Sequence, residues 1–141
     1  MWKYKGKLLS DSKIPEGSIG FIYKITRLSD GKLYIGKKVL TFTRKKKLTK
    51  AEKLLPENKR RKFKQVTTDS GWENYWGSCK ELKEDVDNLG EEAFSREIIE
   101  FCADKKSLTY KEVWHQFKHD VLECNSYNGN ILSRFFRPKI S

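Results

Sequence analysis

The chain has 141 residues, of which 37% are hydrophobic and 35% charged, with a formal net charge of +11. This length predicts a single domain over residues 1–141. No segment approaches the about 20 apolar residues of a membrane-spanning helix, and the N-terminus lacks the apolar core of a secretory signal. Three widely spaced cysteines, Cys79, Cys102 and Cys124, match neither a disulfide framework nor a zinc pattern. We therefore expect a reducing, cytoplasmic setting.

The first predicted elements are an irregular leader and a β-hairpin. Residues 1–17 contain the turn signals SDSK and PEG. Two strands are predicted over 19–28 and 32–39, because apolar and polar residues alternate there. Asp30-Gly31 between them is a strong signal for a short hairpin turn.

The register of this hairpin predicts which side chains share a face. With a two-residue turn, Tyr23 lies opposite Lys38 and Arg27 lies opposite Tyr34. Directly opposed residues share a face of the sheet, so both tyrosines are expected on one face beside Gly36. Phenols, cations and a glycine make a poor core, and we expect this face to form a floor for phosphate.

A basic insert, predicted at 39–71, follows the hairpin. Residues 37–64 hold thirteen Lys or Arg and two acids, and the rest of the chain is formally neutral. Such confined charge is typical of a protein that binds the phosphate backbone; a disordered basic loop and a patch for anionic membranes are alternatives. TKAEKLL favours a short helix that Pro56 interrupts. The predicted DNA-binding residues are Lys38, Lys45, Lys46, Lys47, Lys59, Arg60, Arg61, Lys62 and Lys64.

A helix and a third strand are predicted next. The helix covers about 79–89, with Ser78 as a plausible N-cap and Gly90 as the natural stop. AFSREIIEFC, at 93–102, alternates as a strand does.

The final elements are a late helix and a short tail. Apolar residues near helical spacing predict the helix over 107–123, capped by Ser107 or Thr109. An apolar and basic tail covers 132–141. Together, the predicted strands and helices indicate an α+β fold, in which a small three-stranded antiparallel sheet led by the hairpin is flanked by helices.

Two motifs in the hairpin carry a family resemblance. GFIY at 20–23 precedes YIG at 34–36, and Tyr23 comes eleven positions before Tyr34. The pair resembles the signature of the GIY-YIG nuclease superfamily, with one phenylalanine inserted in the first motif. YWGSCKELKEDVDNLG and FSREIIEFC look like the middle helix and third strand of phage-encoded Seg-type members, so the resemblance covers about 18–131. Further positions that fit the family are Lys37, Arg44, Glu112 and Asn128.

The resemblance implies a metal-dependent DNA endonuclease of the phage homing or Seg-like type, in the host cytoplasm if the chain is phage-encoded. Glu112 would hold one Mg²⁺ or Mn²⁺, because carboxylate oxygen suits hard divalent cations. The DNA is expected to be double-stranded, no membrane partner is expected, and both a monomer and a homodimer stay open.

The resemblance also implies catalytic roles. Tyr23 would act as general base or orient the attacking water; because a free phenol has a pKa of about 10, Lys37 or Lys38 and the metal would have to favour its phenolate. Tyr34 would hydrogen-bond the phosphate or the water. The predicted catalytic residues are Tyr23, Tyr34, Lys37, Arg44 and Glu112, supported by Gly36 and by Asn128, which we expect to satisfy backbone groups.

The identity of the catalytic arginine stays open. Arg44 would brace the phosphoryl oxygens, preferably with two parallel hydrogen bonds. In simple family members this arginine lies on a helix directly after YIG, where this chain carries the basic insert. Arg60 or Arg61 is therefore an alternative.

Several residues also have structural alternatives. The two motif tyrosines suit plain strand positions, but their combination with Lys37, Glu112 and Asn128 favours function. His115 and His119 share a helix face with Glu112, but substrate contact or core packing is favoured over metal binding. Three aromatics, Trp72, Tyr75 and Trp76, either stack on bases or pack a loop, and RFFRPK in the tail either contacts phosphate or docks the tail.

Two other functions compete with a DNA endonuclease. One is a non-catalytic nucleic-acid-binding module on the same fold, which would not need a carboxylate beside phosphates. The other is an RNA-directed nuclease or binder, although nothing resembles the signatures of the common RNA-binding modules.

Overall fold

The computed structural model describes residues 2–9 and 14–138. Within these ranges the strands are β1 (Trp2–Tyr4), β2 (Lys7–Leu8), β3 (Gly20–Arg27), β4 (Leu33–Val39), β5 (Thr41–Lys47), β6 (Phe63–Asp69), β7 (Phe94–Cys102), β8 (Asn130–Ile131) and β9 (Phe135–Phe136). The helices are α1 (Lys50–Lys53), α2 (Lys80–Leu89) and α3 (Lys105–Lys118). None of the helices in the described part of the chain is long and apolar enough to cross a membrane.

The central sheet has five strands in the order β2-β1-β7-β3-β4. The three predicted strands form its antiparallel part, β7-β3-β4. The α+β class is confirmed, but the expected three-stranded antiparallel sheet is wrong, because β1 adds parallel to β7 and β2 adds antiparallel to β1. The sheet is therefore mixed.

The extra strands come from the leader that was expected to be irregular. Trp2 anchors β1, because its indole is 4% exposed and donates a hydrogen bond of 2.9 Å to the Trp72 carbonyl oxygen. Strands of two or three residues are too short to show alternation in the sequence. The SDSK turn signal, at 10–13, lies outside the described residues.

The predicted hairpin register is wrong by two residues. Tyr23 pairs with Gly36, and the Arg27 amide donates to the Lys32 carbonyl oxygen at 2.8 Å, which leaves four residues in the turn. Because side chains alternate with a period of two, an even shift keeps each residue on its predicted face. Tyr23 and Tyr34 therefore do share a face, although their partners differ from those expected.

That face belongs to the core, which corrects the expectation of an open phosphate floor. Tyr23 is 1% exposed and packs in one cluster with Trp72 and with Leu82 of α2. Arg27 is also unavailable to phosphate, because its guanidinium binds the carboxylates of Asp30 and Asp85. Helix α2 and the segment before it cover this side of the sheet.

The opposite face packs against α3. Ile22, Ile35, Leu108 and Val121 form a second buried cluster there. The central sheet thus lies between two layers, and each layer buries one face of the GFIY–YIG hairpin.

Helix α2 begins after Cys79 and ends at Gly90, which has a φ of 88°. The predicted helix and its glycine stop are confirmed. Ser78 is not its cap, because the position before the helix belongs to Cys79 and the Ser78 hydroxyl lies 3.1 Å from the Tyr34 hydroxyl.

Helix α3 is displaced from its predicted limits. It begins after Asp104, whose carboxylate accepts a hydrogen bond of 2.7 Å from the Ser107 amide. The expected caps, Ser107 and Thr109, are therefore wrong, because the aspartate three residues earlier already occupies the capping position. The helix ends at Lys118, and Asp120 follows with a φ of 56°, so the predicted end near 123 is also wrong.

The basic insert is a second hairpin, separate from the central sheet. Strands β5 and β6 pair only with each other in an antiparallel two-stranded sheet. Thr49 and Glu52 cap α1 reciprocally, and Pro56 starts a 3-10 turn. The short helix and its interruption at Pro56 are confirmed, and the alternative of a disordered loop is not supported.

A methyl group at Gly36 is expected to destabilise the fold. A Cβ built there would lie 2.5 Å from the Tyr23 hydroxyl oxygen and 2.7 Å from its ring. Because Tyr23 is buried and cannot move aside, Gly36→Ala should lower the free energy of unfolding by about 1–3 kcal/mol, measured by urea denaturation.

The matched control is Gly129→Ala, because a Cβ there would meet nothing within 4 Å. Equal stability of the two variants would show that Gly36 is not held by its contact with Tyr23.

Candidate active site

The site lies at the outer edge of β4, which carries the YIG motif. β4 is the last strand of the central sheet, so its outward amide and carbonyl groups need other partners. Asn128 supplies them for Ile35: its Oδ1 accepts from the Ile35 amide at 3.1 Å and its Nδ2 donates to the Ile35 carbonyl at 2.9 Å. Gln116 of α3 donates to the same carbonyl at 3.0 Å.

Glu112 of α3 lies near Lys37, two residues further along the same strand. Burial raises the pKa of Glu112, while the Lys37 ammonium and backbone amide partly offset the shift. Among the described residues, Glu112 takes part in no ion pair. The carboxylate is thus half-buried near this edge of the sheet.

Two motif tyrosines share the opposite face of the hairpin, together with a third that the sequence did not assign to the site. The Tyr23 and Tyr34 rings are 6.0 Å apart, and the Tyr75 ring meets Tyr23 edge-on at 5.8 Å. The charge of Glu112 raises the pKa of both Tyr23 and Tyr34. Tyr75 follows a turn-rich stretch without a motif, so only its aromatic character marked it.

The two phenols differ in their surroundings. Burial is the main reason that the pKa of Tyr23 is raised well above its usual value, and the neighbouring Tyr34 and Tyr75 raise it further. Burial also raises the pKa of Tyr34, but its hydrogen bond with Ser78 opposes the shift. Tyr23 is therefore a buried neutral phenol, whereas Tyr34 is half-buried and its hydroxyl is near the surface.

The two lysines after the motif point to opposite sides of β4. The Lys37 ammonium donates to the Thr109 hydroxyl of α3 at 2.9 Å. The Lys38 ammonium lies 4.1 Å from the centre of the Tyr75 ring, and burial lowers the pKa of Lys38. Together with Phe42 and Lys105 they line a groove of about 350 Å³ next to the YIG edge.

The structure does not bring Arg44 against Glu112. Arg44 lies on β5, opposite Val66, and is exposed. Arg60 and Arg61 precede β6 at the far end of the second hairpin. Arg44 lies on the same hairpin face as Phe42, whose ring is 5.0 Å from the Lys38 ammonium. Of the three arginines, Arg44 is the nearest in the fold to the YIG strand.

The remaining predicted candidates have structural partners. His115 is 6% exposed and its Nε2 lies 3.1 Å from the Glu100 carboxylate. Trp72 is 7% exposed in the core, and Tyr75 and Trp76 pack against it. These contacts favour core packing over metal binding by the histidine and over base stacking by the aromatics.

The described part of the tail docks onto the domain. The Arg137 guanidinium donates to the carbonyl oxygens of Val121, Cys124 and Asn128. This arginine of the RFFRPK segment is therefore occupied, whereas Lys139 lies outside the described residues.

The hairpin of GFIY and YIG, with its two tyrosines on one face and a half-buried carboxylate near its outer strand, defines a domain of the GIY-YIG class. Residues 2–136 match the family described as "Putative endonuclease segE, GIY-YIG domain", and the chain belongs to this family. The resemblance drawn from the sequence is confirmed, and the family implies a nuclease with a nucleic-acid substrate. No curated protein and no solved structure matches the chain.

Proposed function

We propose that the chain is a divalent-metal-dependent DNA endonuclease of the phage homing or Seg-like type, working in the host cytoplasm. The observation that carries this proposal is the half-buried Glu112 carboxylate near the YIG strand, whose charge acts on both Tyr23 and Tyr34. Burying a carboxylate without an ion pair costs free energy. We therefore infer that the negative charge of the Glu112 carboxylate serves the function of the site.

The donor chemistry at Glu112 fits one Mg²⁺ or Mn²⁺. The described residues contain no group of three or more His, Cys, Asp or Glu side chains arranged to hold a metal. Glu112 would thus be the protein ligand, with waters and substrate phosphate in the other positions, which is the way Mg²⁺ commonly binds. When bound, such an ion would polarise a phosphoryl oxygen and lower the pKa of a coordinated water.

We assign Tyr34 to the substrate and Tyr23 to its support. Tyr34 is the more accessible phenol, and its hydroxyl is positioned to hydrogen-bond a phosphate oxygen or the attacking water. The raised pKa of Tyr23 supports a protonated phenol at neutral pH, which orients groups by donating a hydrogen bond. The expectation that Lys37 or Lys38 would favour a Tyr23 phenolate gains no support. Lys37 lies on the other face and binds Thr109, and neither lysine is among the groups that shift the pKa of Tyr23.

Positive side chains would complete the site. Lys37, held by Thr109 beside Glu112, would contact a phosphoryl oxygen. We assign the arginine role to Arg44 because the second hairpin begins next to β4, whereas Arg60 and Arg61 are at its far end. Guanidinium groups suit phosphate because they donate two parallel hydrogen bonds.

Cleavage should depend on Glu112 and Tyr34. We expect the wild type to nick or linearise supercoiled plasmid in Mg²⁺ but not in EDTA. Glu112→Gln and Tyr34→Phe should each lower the rate at least about a hundredfold, the scale of losing one transition-state contact. The rates are measured by gel electrophoresis of a time course.

The matched control is Glu84→Gln, because Glu84 is an exposed carboxylate on α2; it should cleave like the wild type. Cleavage in EDTA, or full activity of Glu112→Gln, would remove the metal and site assignment. Binding without any cleavage by the wild type would favour the non-catalytic binding module.

The second hairpin should supply most of the affinity for DNA. Replacing Lys45, Lys46 and Lys47 with Gln should weaken binding and flatten its salt dependence, because each lost phosphate contact removes about 0.9 from the slope of log K against log salt. Fluorescence anisotropy with a labelled duplex at several salt concentrations measures both effects.

A control with the same charge change is available at the opposite edge of the central sheet. Lys3, Lys5 and Lys7 are exposed on or between β1 and β2, and their replacement with Gln should leave the slope nearly unchanged. An equal loss in both triple variants would mean that net charge, not the hairpin, governs binding.

A further inference from the structure

The hairpin of β5 and β6, called the ribbon below, has two faces with different surroundings. Seven residue pairs in one continuous register define them. The inner face includes Phe42, Lys46, Lys64 and Val66: Lys64 binds the Glu52 carboxylate at 2.7 Å, and Val66 is half-buried. The open face consists of Thr41, Thr43, Lys45, Lys47, Phe63, Gln65, Thr67 and Asp69, all of them exposed.

The ribbon has dimensions that fit a groove of double-stranded DNA. Strands of seven residues extend about 23 Å, and the two strands are about 5 Å apart. The ribbon is paired to no strand of the central sheet, so both its edges are free of that sheet. The major groove of B-form DNA is about 12 Å wide and admits a two-stranded β-ribbon.

The open face carries side chains that hydrogen-bond base edges. Lys45 lies directly opposite Gln65 in the fifth of the seven pairs counted from the base of the ribbon, and Thr43 opposes Thr67 in the next pair on this face. Lysine pairs with guanine O6 and N7, glutamine with adenine N6 and N7, and threonine with several base edges. Asp69 is the one acid among the eight residues of this face, and it lies at the base of the ribbon.

Cations at the tip flank this face. Arg61 and Lys62 precede β6, and with Lys45, Phe63, Lys64 and Gln65 they line a concavity toward the far end of the ribbon. The charges of Arg61 and Lys62 suit the phosphates that border a groove, and the neighbouring pair of Lys45 and Gln65 lies where base edges would be.

We propose that the open face of the ribbon enters the major groove of B-form DNA, with Lys45 and Gln65 contacting the purine edges. The proposal rests on the proposed function insofar as the substrate is DNA, and it gives this domain a sequence preference of its own. Double-stranded RNA does not fit, because the major groove of A-form helices is too deep and narrow for side chains. Single strands are bound by several stacking aromatics, and the open face has one, Phe63.

Removal of the purine N7 atoms tests the groove without knowledge of a target sequence. Two pools of random-sequence duplexes are amplified, one with ordinary nucleotides and one with 7-deazaguanine and 7-deazaadenine. The Glu112→Gln protein binds both in EDTA, so cleavage does not enter the measurement. We expect about tenfold weaker binding to the deaza pool with an unchanged salt slope.

Two single variants separate base contacts from charge. Lys45→Gln and Lys46→Gln lose the same charge, but Lys45 is on the open face and Lys46 on the inner face. We expect Lys45→Gln and Gln65→Ala to lose the discrimination between the pools, whereas Lys46→Gln keeps it. Circular dichroism of each variant verifies that the fold is intact.

Equal affinity of the parent protein for both pools would overturn the proposal, as would equal binding of double-stranded RNA or single-stranded DNA of the same length. Loss of discrimination in Lys46→Gln but not in Lys45→Gln would place the inner face in the groove and contradict the proposal as well. Failure of plasmid cleavage leaves these binding results unaffected, so the two proposals fail separately.

Discussion

The outer edge of β4 is the constraint on which the rest of the structure depends. An edge strand leaves backbone donors and acceptors unpaired, and here side chains and a short backbone segment take the place of a neighbouring strand. Asn128 and Gln116 bind Ile35, and the backbone of residues 125–127 binds Leu33. Glu112 of α3 lies near Lys37 at the end of the same strand, which places a carboxylate next to the YIG motif.

The two layers around this strand explain why its tyrosines differ. One face is closed by α2 and the loop before it, so Tyr23 becomes a core residue whose hydroxyl fits against Gly36. Tyr34, one strand further out, keeps its hydroxyl near the surface beside Ser78. The same hairpin thus supplies a packed support and an accessible phenol, because only one of its strands is at the edge.

Much of this arrangement was predictable from the sequence, and the errors have physical causes. The sequence correctly predicted that the two tyrosines share a face although the turn was wrong, because a register shift of two residues keeps every side chain on the same face of the sheet. The burial of that face was not predicted, because the residues that cover it, around Trp72 and Tyr75, are far along the chain. β1 was missed because its stability comes from the contacts of Trp2 rather than from alternation. Arg44 was chosen from its spacing after Tyr34 along the chain. That spacing does not predict where the side chain lies in space, because a second hairpin follows β4 in this protein.

The central claim is that Glu112 at the edge of β4 is the metal site, and paramagnetic broadening by Mn²⁺ tests it most directly. In amide correlation spectra of the ¹⁵N-labelled protein without DNA, substoichiometric Mn²⁺ should first broaden the signals of residues 35–37 and 111–113. The same titration of Glu112→Gln should leave those signals sharp. Broadening that begins instead around His115 and Glu100, or that persists unchanged in the variant, would contradict the account.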